Sequence, residues 1–342
     1  MTLARRLAAV LLLLTLAANA RETNHGQVVS ITVHSAALEH NHVGDSPDRA
    51  VAVYLPPNYE KGTRRYPVLY LLHGYTGDEH GWMNPNYVGL PEMMDSLIQK
   101  RAIVPMIVVM PNSFNRFGGS MYTNSELTGN WEDFIVRDLV GYIDAHYRTL
   151  AATASRGIAG HSMGGYGALR IGMEHPEVFA AAYGMSPCCA VWNADEDRDY
   201  VVKAQKAKNL QQIVDGGMGP QGELALAAAF SPDLHNPPFG VAWPFDAKGQ
   251  QVPAVVERWK ANVLTSIAAK YAAGAPRLQA LAFDVGRQDA LLPSVHKFDR
   301  ELTKLGIAHQ FSEYDGNHNN RIHERMEKFV LPMMSKAVAS NQ

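Results

Sequence analysis

Apolar residues follow two rhythms along this chain, and the rhythms alternate. Val28, Val29, Ile31 and Val33 make residues 27–39 read as a strand, and residues 50–55 make a second, stopped by Pro56-Pro57. The polar stretch 41–48 between them contains Gly44 and Pro47, which predicts a turn and hence an antiparallel pair at a sheet edge. Residues 66–72 and 103–110 are nearly continuous apolar runs, the pattern of strands buried on both faces of a parallel sheet. Between them, residues 90–100 have helical spacing. Residues 131–147 are the clearest helix: Phe134, Leu139, Val140, Ile143 and Tyr147 fall near one face, and Glu132 and Asp133 occupy the first turn. A strand at 157–160, a helix at 166–173 and a strand at 178–185 follow.

The alternation then stops. Residues 188–276 mix short helical pieces (224–230, 255–271) with Pro237-Pro238-Phe239 and Trp243-Pro244-Phe245. A compact domain rarely carries so long a loop without purpose, so this stretch predicts an inserted cap or lid. A strand at 278–285, a helix ending at 302–305, a strand at 310–314 and an amphipathic helix at 322–339 complete the pattern. The expected fold class is α/β: a mostly parallel, doubly wound sheet in one domain, interrupted by the insertion.

Composition adds an address. Arg5 and Arg6, an apolar run over 7–17 and Ala18-Asn19-Ala20 read as a cleavable signal peptide over residues 1–20, leaving a domain of 21–342. The run is short for a bilayer span of about 20 residues, so the mature chain is expected to be exported, periplasmic or secreted, without stable membrane insertion. Formal net charge is −2, which offers nothing to nucleic acid. The two cysteines, Cys188 and Cys189, are adjacent, so a disulfide scaffold is excluded by count. Two reduced, buried thiols are the expectation, with a vicinal disulfide as the alternative in an oxidising compartment.

The candidate chemistry centres on Gly160-His161-Ser162-Met163-Gly164-Gly165, between a strand and a helix. At Gly about 7% and Ser similar, a Gly-x-Ser-x-Gly arises by chance in roughly one chain of this length in ten. The setting adds the specificity. At a strand-to-helix junction the motif is the nucleophile elbow of an α/β-hydrolase, where small neighbours let strand and helix approach closely and the serine takes a strained conformation. A serine hydroxyl needs a base, and in this fold the acid and the histidine follow in that order. Asp284 and Asp289 both lie near the end of the strand at 278–285. Asp289, in the loop past Gly286, is preferred. His318, after the last strand in Asp315-Gly316-Asn317-His318, is the expected base, with His323 the competitor and His309 at the opposite strand end. Oxyanion donors are expected at the backbone N–H of Met163 and of Tyr75, in the glycine-rich loop 72–77. His73 and His161 read as structural supports. No metal is expected, since His-Glu-x-x-His is absent and His34, His40 and His42 read as a solvated loop. No cofactor is expected either.

Several further stretches carry a family resemblance: Val53-Tyr54-Leu55-Pro56-Pro57, Tyr66-Pro67-Val68-Leu69-Tyr70-Leu71-Leu72-His73-Gly74 with Trp82, Trp131-Glu132-Asp133-Phe134-Ile135, Tyr142-Ile143-Asp144, the elbow, and His175-Pro176-Glu177-Val178-Phe179. With these the chain resembles the esterase-D-like α/β-hydrolases. That group includes feruloyl and acetylxylan esterases, S-formylglutathione hydrolases, enterochelin-type esterases and mycolyltransferases. The resemblance implies the same nucleophile, acid, base and oxyanion donors as position does. It implies hydrolysis of a small-molecule or polysaccharide-linked carboxylic ester through an acyl-enzyme. Export favours feruloyl or acetyl esters over S-formylglutathione. An exported acyltransferase and a siderophore or lactone esterase are the alternatives, and a non-catalytic binding protein on the same fold is a remote one. Trp192, Phe230, Phe239, Trp243 and Phe245 either receive an aromatic acyl group or simply anchor the insertion, the latter being the default.

Overall fold

The computed structural model describes residues 25–274 and 277–339, so the expected signal peptide lies outside the described residues. Strands β1 (Gln27–His34), β2 (Asp48–Leu55), β3 (Val68–Leu72) and β4 (Ile107–Pro111) are followed by a small hairpin, β5 (Asn124–Ser125) with β6 (Gly129–Asn130). Strands β7 (Arg156–His161), β8 (Ala181–Met185), β9 (Ala280–Gly286) and β10 (Gln310–Tyr314) complete the set. All but the hairpin form one sheet in the order β1-β2-β4-β3-β7-β8-β9-β10. β2 pairs antiparallel with both β1 and β4, and every other pairing is parallel. Only β2 therefore runs against the rest, and the antiparallel pair expected at a sheet edge is β1 with β2.

The continuous apolar runs serve two cores at once. Successive side chains of a strand point to opposite faces. Val68, Tyr70 and Leu72 of β3 enter one core with residues from the helices at 131–146, Met163–Glu174 and Leu292–Lys304. Leu69 and Leu71 enter the other, with residues of Leu90–Gln99 and the C-terminal helix at 322–339. β4 divides likewise, with Ile107 and Val109 on one side and Val108 and Met110 on the other. This is the expected α/β-hydrolase fold. Among the described residues no helix is long and apolar enough to cross a membrane.

Several boundaries differ from the sequence reading: β1, expected over 27–39, ends at His34 and gives way to a 3-10 turn at Ala36–Leu38. β4 starts at Ile107, because Pro105 has no amide hydrogen to give and the Val104 N–H goes to Ser335 Oγ instead (2.8 Å). Val178 and Phe179 are not strand, since both amides turn back onto the His175 carbonyl. The stretch 188–276 is far from irregular. It holds the helices Ala194–Gln205, Leu210–Asp215, Met218–Phe230, Pro253–Ala261 and Leu264–Ala273. Its aromatics mostly anchor it: Phe230, Phe239 and Phe245 are buried, and Trp259 packs edge-on to Phe230 and Trp192 while its Nε1 donates to Ser231 Oγ (2.8 Å). Cys188 and Cys189 are half-buried rather than buried, with their sulfurs 3.0 Å apart and not joined in a disulfide.

One junction positions the rest. Between β7 and the helix Met163–Glu174, Ser162 adopts φ 57°, ψ −116°, a conformation costly for a side-chain-bearing residue. The turn fits only because its neighbours lack Cβ atoms. A Cβ on Gly160 would lie 2.3 Å from the Gly164 carbonyl oxygen, and one on Gly164 would lie 2.1 Å from the Leu72 carbonyl oxygen. Both neighbours are backbone, so neither can swing aside. Gly164→Ala is expected to cost about 3 kcal/mol or more in urea unfolding. Gly141→Ala, where a Cβ meets nothing within 4 Å, is expected to be neutral or to add about 0.5–1 kcal/mol. Equal effects at the two sites would contradict the close approach.

Candidate active site

Ser162, His318 and Asp289 come from three different strand-to-helix connections and meet at the carboxyl ends of the parallel strands. The Ser162 hydroxyl lies 3.0 Å from His318 Nε2, and His318 Nδ1 lies 2.8 Å from Asp289 Oδ2. The second Asp289 oxygen accepts the Leu291 N–H at 2.9 Å. With its carboxylate as acceptor on the Nδ1 side, the ring carries its proton there and presents a bare Nε2 to the serine. The Asp289 side chain is 1% exposed and that of His318 32% exposed. Burial pushes the Asp289 carboxyl up, but hydrogen bonds from His318 and Leu291 outweigh it and hold the group below the usual range. It therefore stays an anion beside the imidazole.

The rival residues are occupied elsewhere. Asp284 is fully buried, with Oδ2 accepting from Tyr183 Oη (2.7 Å) and Arg325 Nε (2.8 Å). His323 is turned onto the Val88 carbonyl through Nδ1 (2.8 Å). His309 sits before β10 and pairs with Asp299 at 3.0 Å. Among the described residues, no cluster of three or more His, Cys, Asp or Glu side chains could hold a metal ion.

The loop after β3 lies directly against the serine: a Cβ on Gly74 would come within 3.5 Å of Ser162 Cβ. Among the described residues, neither the Tyr75 nor the Met163 backbone N–H has an acceptor, so both remain available to an incoming oxygen. Tyr75 is fixed at its far end, where Oη donates to the Phe117 carbonyl (2.7 Å). His73 braces this loop. Its Nε2 accepts the Ser113 N–H and its Nδ1 donates to the Gly74 carbonyl, both at 2.8 Å.

Sequence reasoning missed the tether of the base. His161, immediately before the serine, donates through Nε2 to the backbone carbonyl of His318 (2.8 Å), while its Nδ1 accepts from Tyr87 Oη (3.1 Å). The strand that carries the nucleophile thus also holds the loop that carries the base. Burial pushes the His161 ring down to about 4, with the nearby His318 adding to the effect. Burial likewise brings His73 to about 4. A histidine next to a candidate nucleophile is the only sequence signal for the tether, and nothing in the pattern around Tyr87 marks it.

Comparison with known proteins agrees with this architecture. Residues 46–324 match the protein-family model named Esterase. The esterase Rv1288 of Mycobacterium tuberculosis is 28% identical over 272 residues, covering 78% of this chain and 52% of that protein. The chain thus spans about half the length of that relative. An endo-1,4-beta-xylanase/feruloyl esterase of Xylanibacter ruminicola is 34% identical over 168 residues, 46% of this chain and 21% of that protein. A ferulic acid esterase structure superposes with TM-score 0.63 at 24% identity, over 92% of this chain and 99% of that one.

The two neutral histidines make stability depend on pH. In the unfolded chain each titrates near 6.5 and in the folded protein near 4, so between these values the unfolded state binds more protons. Stability is fully present above about 6.5 and falls as pH drops towards 4, by an amount on the order of 3 kcal/mol per ring. Urea unfolding at pH 7.5 and 5.0 should show His73→Asn less stable at pH 7.5 and with a smaller loss on acidification than the wild type. An unchanged loss would show that His73 is charged in the folded protein.

Proposed function

The chain belongs to the Esterase family, and from that premise we propose that it hydrolyses carboxylic esters through a covalent acyl-enzyme on Ser162. The observation that carries this reading is the unbroken hydrogen-bonded relay from the Ser162 hydroxyl through His318 to the buried Asp289 carboxylate. A serine hydroxyl is a weak nucleophile near neutral pH until a base removes its proton. In the proposed cycle His318 Nε2 accepts that proton as Ser162 Oγ attacks the ester carbonyl carbon. Asp289 holds the Nδ1–H and stabilises the imidazolium. The backbone amides of Met163 and Tyr75 take the negative charge on the carbonyl oxygen, aided by the N-terminus of the helix Met163–Glu174. Protonated His318 then delivers its proton to the departing alcohol. Water, deprotonated by the same imidazole, releases the acid and restores Ser162.

For substrate, feruloyl or acetyl esters fit best. The named activities of the xylanase/feruloyl esterase relative and of the ferulic acid esterase structure support that reading, as does the expected export signal at residues 1–20. In the insertion, Trp192 and Trp243 are half-buried, and on this reading they are the candidates to receive an aromatic acyl group. The insertion is accordingly proposed as a cap over the site.

The test is hydrolysis of p-nitrophenyl acetate and methyl ferulate by the wild type and three variants. Ser162→Ala and His318→Ala should each lower kcat by about 10⁴-fold or more, and Asp289→Asn by a similar factor. Cleavage of acetate alone would remove the feruloyl assignment, and acyl transfer to an added alcohol in preference to water would favour an acyltransferase. Full activity in Ser162→Ala would refute the mechanism.

A further inference from the structure

A cleft of about 870 Å³ lies where the insertion meets the main domain, in the size range of small-molecule sites. The main domain contributes His42 and the Arg116-Phe117 segment to its lining, and the insertion contributes Lys208, Asn209 and Phe239. The reaction described above does not use it.

Its charge is one-sided. The lining contains Arg116, Lys208 and His42 and no carboxylate. Among the described residues neither the Arg116 guanidinium nor the Lys208 ammonium has an ion-pair partner, although the chain as a whole is net negative. Asp45, outside the lining, accepts the backbone N–H of Arg116, and its charge acts on both the Arg49 and Arg116 guanidinium groups without an ion-pair contact to Arg116. Two exposed cations and no carboxylate in the lining favour an anionic ligand. Phe117 and Phe239 supply apolar lining, and Asn209, whose Oδ1 caps the helix Leu210–Asp215, leaves its side-chain NH2 to donate to a hydroxyl oxygen. Charged, amide and apolar groups together match a sugar chain that carries carboxylates.

The cleft is wired to the candidate reaction centre. The Phe117 carbonyl accepts Tyr75 Oη at 2.7 Å, and the Gly118 carbonyl accepts the Thr76 N–H at 2.9 Å. A Cβ on Gly119 would lie 2.5 Å from Met163 Sδ. One segment, 116–119, therefore runs from Arg116 in the cleft lining to the side chains of both residues proposed to supply the oxyanion donors. We propose that this cleft binds the non-reacting portion of the ester substrate, and that this portion is an acidic, uronate-bearing oligosaccharide. The inference rests on the Ser162 esterase reading for its reaction and on the cleft alone for its binding.

The experiment compares two acetylated xylo-oligosaccharides that differ only in a glucuronosyl branch, with wild type and Arg116→Gln/Lys208→Gln. The double variant should raise KM for the acidic ester roughly 5–10-fold, the sum expected of two solvent-exposed ion pairs. It should leave kcat, the neutral ester and p-nitrophenyl acetate unchanged. Added salt should raise the acidic-ester KM of the wild type more steeply than that of the variant. Equal KM values for both esters in wild type and variant would overturn the proposal. Direct binding of the acidic oligosaccharide to Ser162→Ala protein separates the two readings: binding lost in Ser162→Ala/Arg116→Gln/Lys208→Gln supports the cleft even where no ester is cleaved. Inorganic phosphate that competes as well as the oligosaccharide at equal ionic strength would overturn the saccharide assignment.

Discussion

Everything at the candidate centre depends on one steric constraint, the approach of two backbones at the end of β7. The turn at Ser162 brings the start of a helix against the Leu72 carbonyl at the end of β3, at a distance only hydrogen atoms on Cα allow. That approach places the Met163 amide beside the loop bearing Tyr75. It also forces Ser162 into its strained conformation, which the flanking strand and helix must hold. The strain is localised in one residue, and the packing that holds it is spread over two cores.

The base is held from both sides by buried polar groups. His161 grips the His318 carbonyl from the nucleophile's own strand. On the other side, Arg325 follows His318 by seven residues and locks the start of the C-terminal helix to Asp284, Tyr183 and Ser312. Two acids five residues apart thus have different work. Asp289 faces the imidazole, while Asp284 fixes the helix that follows it. A buried pair of this kind need not add net stability, but removing either member would leave a charge stranded next to the loop of His318.

Much of this was legible in the amino-acid pattern. The runs at 66–72 and 103–110 pointed to the two doubly buried strands, β3 and, from Ile107 on, β4, and the order of the strands and helices after them implied the doubly wound sheet. Ser162, Asp289 and His318 could be placed together from their positions after strands alone. Other elements left no trace. The helix Ala194–Gln205 opens with Ala-Asp-Glu-Asp and buries little beyond Val201 and Ala204, so it has no apolar face to read. Tyr87 reaches His161 across 74 residues, and the cleft gathers segments from residues 42 to 240. Such features arise from tertiary packing, and no local periodicity encodes them.

The hydrogen bond between Ser162 and His318 joins residues 156 apart, and that between His318 and Asp289 spans 29. The first of these contacts cannot form until β7, β8, β9 and β10 are paired in sequence, with the insertion accommodated between β8 and β9. Non-local pairing of this kind pays loop-closure entropy before it returns any contact. The geometry of the relay is therefore a property of the finished sheet. A change anywhere in the pairing of β7 to β10 is thus felt at the relay, however far it lies from the three residues in the sequence.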